Sequence, residues 1–285
     1  MRPGIAVLLL VCLWICAPAA LRAGDPEPAR FQWQVGEELF YKVKYSFLSV
    51  GSLHFWVLEK DTLRGRPVYH CKLHMKSSPA IPFVSMDDYY ESYIDEDVYS
   101  HIFWSYEKQK DHQLMTRYDT DYDAGVIKIR IEKQFAGDTV VVLDSAAAIN
   151  GKVQDGLSLL FYARAEVKKN NPRDVAVFAF NRLRDTFINF TGRTEEVKAK
   201  GAKVEGYYLD GKMKFVGIAG IKEDFKGWFS PDPQSVPLHA KMKAFLGSVR
   251  LNLHWWKNWS GDTVLGDNAA KGRVEHYEDD AGDEE

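Results

Sequence analysis

Ser248-Val249-Arg250-Leu251-Asn252-Leu253-His254-Trp255 decides the fold class of this chain. Val249, Leu251, Leu253 and Trp255 point one way and Ser248, Arg250, Asn252 and His254 the other, the period-two pattern of a strand with one buried face. The stretch closes a longer run, Gly220 to Trp256, in which Pro231, Asp232, Pro233 and Gly247 punctuate short apolar segments. That punctuation predicts an antiparallel meander.

The same alternation recurs towards the N-terminus. Leu39, Tyr41, Val43, Tyr45 and Phe47 alternate with Phe40, Lys42, Lys44 and Ser46, and Leu53, Phe55 and Val57 lie opposite His54, Trp56 and Leu58. Tyr69, Cys71, Leu73 and Met75 mark the inner face of a third strand. Turns are expected at Val50-Gly51-Ser52, at Arg64 to Pro67 and at Asp210-Gly211. Further strands are predicted over 87–95, 101–108, 114–122, 126–133, 139–144, 174–181, 186–191, 203–209 and 212–216. One helix interrupts them, Asp155 to Ala165, with Leu157, Leu160, Phe161 and Arg164 at helical spacing and Asp155 placed to cap its start. A short helix that apolar must be buried, and a curved sheet offers its concave face. The expected fold is mainly β: a single large curved antiparallel sheet, an open half-barrel wrapped around one short apolar helix.

With 285 residues, 46% of them hydrophobic, the chain can bury one sizeable core. Arg2, the apolar run Ile5 to Ala17 and the small residues around Ala19 and Ala23 read as a secretory signal peptide over residues 1–23. A leader, 24–30, precedes a single β-rich domain over 31–259, and 260–285 reads as an acidic disordered tail ending Asp283-Glu284-Glu285. Cys12 and Cys16 fall inside the signal, which leaves Cys71 alone on a core face, where a thiol serves as a small hydrophobe. Loss of the signal removes two arginines and no acid, so the formal charge moves from −3 to −5. That balance argues against nucleic acid as a partner.

Gly36-Glu37-Glu38-Leu39-Phe40-Tyr41, the following Val50-Gly51-Ser52, the Asp87 to Tyr93 segment, the helix start Asp155-Gly156-Leu157-Ser158 and the ending Ser230 to Trp255 together resemble a large group of exported bacterial proteins, the domain of unknown function 3108 family. The resemblance covers about Phe31 to Lys257. Ser230-Pro231-Asp232-Pro233-Gln234-Ser235 departs from it, since family members often carry a Ser-Asp-Asp and a basic residue there. The resemblance implies a half-barrel of the lipoprotein-carrier type and a place in the periplasm or at the outer-membrane periphery of a Gram-negative-type bacterium. Such a fold does not by itself fix a function.

No nucleophile elbow, zinc-protease motif or paired C-x-x-C occurs, and no catalytic residue, metal or cofactor is expected. Gly206 to Met213 has the Gly and Lys spacing of a phosphate loop but lacks its hydroxyl residue. His70 and His74 lie roughly 13 Å apart on an extended strand, too far for one metal, and read as solvated. Aromatic residues crowd the C-terminal sheet, and an incompletely filled half-barrel lined by them would suit an acyl chain. The expected lining is Phe55, Trp104, Phe161, Trp228, Phe229, Leu251 and Trp255. Ile81 and Phe83, in a stretch interrupted by Pro79 and Pro82, and Phe245-Leu246 at a hairpin tip are candidates for peripheral contact with a membrane or protein partner. The expected function is therefore non-enzymatic binding of a lipid or of a lipidated partner's acyl chain in the cell envelope. An envelope scaffold that holds other proteins is the alternative. A hydrolase using His239 or His254 with Asp232 ranks last.

Overall fold

The computed structural model describes residues 31–79, 85–214, 223–243 and 248–274. Fourteen strands follow one another: β1 (Glu38–Tyr45), β2 (Leu48–Leu63), β3 (Arg66–Ser77), β4 (Asp87–Asp95), β5 (Ser100–Lys108), β6 (Gln113–Asp121), β7 (Val126–Phe135) and β8 (Asp138–Ala148), then β9 (Arg173–Ala179), β10 (Arg182–Ala199), β11 (Ala202–Met213), β12 (Glu223–Phe229), β13 (Pro237–Lys243) and β14 (Ser248–Lys257). Helix α1 (Ser158–Glu166) lies between β8 and β9, and a short α2 (Asp262–Leu265) follows β14. All fourteen strands form one antiparallel sheet in the order β8-β7-β6-β5-β4-β3-β2-β1-β14-β13-β12-β11-β10-β9. It is two meanders joined where β1 pairs with β14.

The sheet rolls without closing. Its edges, β8 and β9, do not pair with each other, yet Tyr118 of β6 meets the Phe178 ring of β9 edge-on at 4.9 Å and donates to Asn181 Oδ1 at 2.9 Å. The β9 edge is partly covered, because Gln154 donates its amide to Ala176 and accepts from that of Phe178.

Helix α1 fills one end of the hollow. Asp155 Oδ1 accepts from the amides of Leu157 and Ser158 at 2.7 and 2.6 Å, and Ser158 Oγ accepts from the Asp155 amide at 2.8 Å, a reciprocal cap of the kind the sequence predicts. Ser92 donates to the other Asp155 oxygen, and burial nevertheless holds that carboxyl above its ordinary range. Leu157, Phe161 and Val167 then join Cys71, Leu73, Tyr90, Phe103, Ile129 and Phe190 in the main core. Each such fully buried large side chain contributes about 1.5–3 kcal/mol. Cys71 is buried there as expected, and burial pushes its thiol well up.

Several local expectations are corrected. The β1–β2 turn is Ser46-Phe47, with Ser46 at φ 55°, not Val50 to Ser52. Gly51 sits inside β2, where a Cβ would collide with the Lys76 carbonyl; glycine here marks close backbone approach, not a turn. Asp210-Gly211 is likewise interior to an unbroken β11, with Gly211 pressed against the Phe225 ring. β10 runs on to Ala199 through Glu195 and Glu196, whose charge hid the strand. The domain does not stop at 259. Residues 260–274 fold back so that Leu265 and Ala269 are buried beside Trp256, and Gly261 and Gly272 leave room for its indole. The remaining tail, from 275, lies outside the described residues.

Candidate functional site

The hollow has two halves. At the helix end, near the turns Arg64-Gly65 and Lys200-Gly201 and the Ser230 to Val236 loop, a buried polar cluster fixes α1 to the sheet. Arg164 grips Glu37 with two nitrogens at 2.7 and 2.8 Å, and each residue is 2% exposed. Gln234 donates to Glu37 Oε1 at 2.9 Å and accepts from Arg164 Nε at 3.0 Å through its carbonyl. The Phe31 and Phe161 rings lie 5.1 and 5.3 Å from the guanidinium. Tyr41 donates to the Pro237 carbonyl at 2.9 Å, and burial pushes its phenol far up. Lys168 donates to the Asp232 carbonyl at 2.6 Å and the Trp259 indole to the Asp232 carboxylate at 3.1 Å.

The opening motif at Glu37, the helix, and the 230–235 stretch that departs from the family pattern thus converge. The Glu37–Arg164 pair is the feature that sequence reading missed. Its signal was present: a guanidinium on an otherwise apolar, buried helix requires a buried carboxylate.

At the other end, beyond these contacts, the concave face carries Val43, Leu53, Met75, Met242 and Leu251, all half-buried, with Phe55 bordering them on the helix side. They are neighbours in the sheet: Val43 lies opposite Leu251, Leu53 opposite both Tyr41 and Met75, and Leu251 opposite Ala240. Gly51 and Gly227 share this face, beside Val43 and Ala240 respectively, with the Phe229 ring lying over Gly227. The result is an aliphatic trough between β3 and β13. Across the hollow, Asp88 and Glu107 alternate in phase with the core residues Tyr90 and Phe103, and burial raises both carboxyls.

Of the seven expected lining residues, Phe55 and Leu251 border the trough. Phe161 and Phe229 are buried in the main core. Trp228 turns to the opposite side of β12 from Phe229, between Tyr208 and His239, with its indole donating to Glu195. Trp104 lies on the convex face, where Arg117 covers its ring at 5.2 Å and Tyr93 meets it at 5.6 Å. Trp255 is also convex. A bulge between Phe40 and Tyr41 in the β1–β14 register skips His254, so Trp255 stacks on Phe40 at 5.3 Å while Leu253 and Trp256 stay inside. The seven therefore do not share one surface. Ile81, Phe83, Phe245 and Leu246 lie outside the described residues.

The histidines read as solvated are instead engaged on the convex face. His70 meets Glu91 at 2.9 Å and stacks on Tyr93, and His74 meets Asp87 at 2.7 Å and stacks on Tyr89. Hydrogen bonds from these imidazoles hold both carboxyls below the ordinary range. The residues of the hydrolase alternative are tied up separately. His239 bonds Asn252 at 3.0 Å, Asp232 holds Trp259, and burial depresses both His239 and His254.

A family model described as "Protein of unknown function (DUF3108)" matches residues 41–254. Among solved structures, the chain is similar to a β-barrel-like protein of domain of unknown function DUF1849 from Brucella abortus, at 10% identity and a TM-score of 0.55, over 81% of this chain and 100% of that one. A Bacteroides fragilis protein of YmcC-like fold matches at 10% identity with a TM-score of 0.34, over 79% of this chain and 97% of that one. The first likeness bears on fold alone. No curated protein matches the sequence.

Proposed function

This chain belongs to the DUF3108 family, and from that premise we propose that it is a non-enzymatic protein of the cell envelope that receives an acyl chain, from a lipid or a lipidated partner, in the trough between β3 and β13. One observation carries the reading: an aliphatic strip on a concave face that the helix leaves half-buried at its far end. Burying ten methylenes there gives about 8 kcal/mol before the costs of association are deducted, so useful affinity requires no catalytic group. The half-barrel confines the ligand to one end, because Arg164 and Glu37 lock α1 into the other.

Leu251→Trp tests this by filling the trough. Native mass spectrometry of protein purified from membranes should reveal bound lipid in the wild type, and a lipophilic dye should brighten with wild type but not with the variant. Bare protein with no dye response, or equal brightening by both, would overturn the proposal.

The scaffold alternative has one observation in its favour. β8 is a sheet edge on which Val140, Val141 and Val142 are 46%, 45% and 52% exposed, a template for an added strand.

A further inference from the structure

We propose that the end of the sheet opposite α1 is a docking surface for an anionic lipid bilayer. The inference is independent of whether the trough holds a ligand; it rests on how apolar and charged residues divide between the two ends.

Strand order places the turns Ser46-Phe47, 109–112, Ala136-Gly137 and Phe180-Asn181 together at one rim. Among the described residues, five of the eleven large exposed hydrophobics lie within two residues of these turns, Phe47, Leu48, Phe135, Phe180 and Leu183, while Val140 to Val142 and Phe187 lie further along β8 and β10. Phe47 is 85% exposed and Phe180 50%. The turns at the helix end, Arg64-Gly65, 96–99, 122–125 and Lys200-Gly201, present charged and polar residues instead. Apolar tips contributed to one rim by three separate hairpins mark a contact surface rather than scattered exposure.

Phe180 adds a second argument. It and Asn181 both have positive φ, 52° and 60°, in a two-residue hairpin where asparagine and glycine are the usual occupants. A phenylalanine there has a conformational cost and leaves half of its surface in solvent.

Charge selects the occupant. Exposed Lys44, Lys76, Lys108, Lys110, Lys241 and Lys243 surround this rim. Among the described side chains nearby, Asp111 pairs with His112 and Asp174 with Lys214, and Asp138, Asp185 and Asp224 are the other exposed acids, against six exposed lysines. A basic collar around apolar tips, on a chain whose net charge is negative, fits acidic headgroups with phenylalanine inserted between them.

Flotation of the full chain with two kinds of vesicle tests the proposal. Wild type should float with mixed phosphatidylethanolamine and phosphatidylglycerol, stay in solution with phosphatidylcholine, and release as salt rises. Phe47→Ser, Phe135→Ser and Phe180→Asn combined should lower partitioning about tenfold or more with an unchanged unfolding midpoint, since the three rings are exposed. Lys44→Glu with Lys76→Glu and Lys243→Glu gives a second, charge-based loss. Undiminished flotation of both variants, or no flotation of wild type with either vesicle, would overturn it. So would concentration-dependent dimerisation abolished by the triple phenylalanine variant, which would assign the rim to a second copy. Dye binding separates this from the trough reading: the rim variants should keep it, whereas Leu251→Trp should lose it and still float.

Discussion

Arg164→Met should be among the most damaging single changes in this protein. The variant leaves Glu37, 2% exposed, with the Gln234 side chain as its only remaining side-chain donor in place of a bidentate guanidinium. Breaking a buried ion pair by removing one partner costs about 3–5 kcal/mol, because the other charge stays buried and uncompensated. For a chain of this size each kcal/mol moves the midpoint about 2–4 °C, so Tm should fall by roughly 6–20 °C. Adding Glu37→Met removes the orphaned charge and should restore part of the loss, with coupling of about 2 kcal/mol or more. Urea titration followed by tryptophan fluorescence measures each corner of this cycle. Single variants that each cost under about 1 kcal/mol, or a strictly additive double variant, would refute a tethering role for the pair.

Two further outcomes follow from the sheet. Gly51→Ala should lower the unfolding free energy from denaturant titration by about 1–3 kcal/mol, since the new methyl meets the Lys76 backbone rather than open space. Replacing His70 and His74 by Gln should weaken stability, because the hydrogen bonds that hold the Glu91 and Asp87 carboxyls low are lost. The depressed carboxyls of Glu91 and Asp87 contribute stability that is present above the ordinary carboxylate range and lost as pH falls through their folded values, so the double variant should show a flatter acid limb.

Alternation made the sheet legible. In β1, β3, β4 and β7 the inner residues stand two apart without interruption, and the sequence predicts these strands nearly to their ends. It fails where the period breaks. The bulge that skips His254 sends Trp255 to the convex face, and nothing local announces it, because the register is fixed by Phe40 more than two hundred residues away. Gly51 and Gly211 were ambiguous for a physical reason: a glycine that lets two backbones approach looks, in one dimension, like a glycine that turns a chain. The expected lining inherited these errors. Trp104 and Trp255 were placed inside because aromatic residues are usually buried, whereas Arg117 and Phe40 cover them outside. The trough residues Val43, Leu53 and Met75 were read correctly as inward but not as half-open, since exposure depends on where the helix stops.

The seam between β1 and β14 also governs how the molecule can be made. Every other neighbouring pair in the sheet is consecutive along the chain, so both meanders can grow by local zippering as they emerge. The first strand, however, keeps one raw flank until the last strand arrives, and Glu37 waits for Arg164 and then Gln234 before its charge is neutralised. Maturation therefore hinges on a late, non-local closure. A truncated or still-growing chain has to remain loose, and only the finished polypeptide can set.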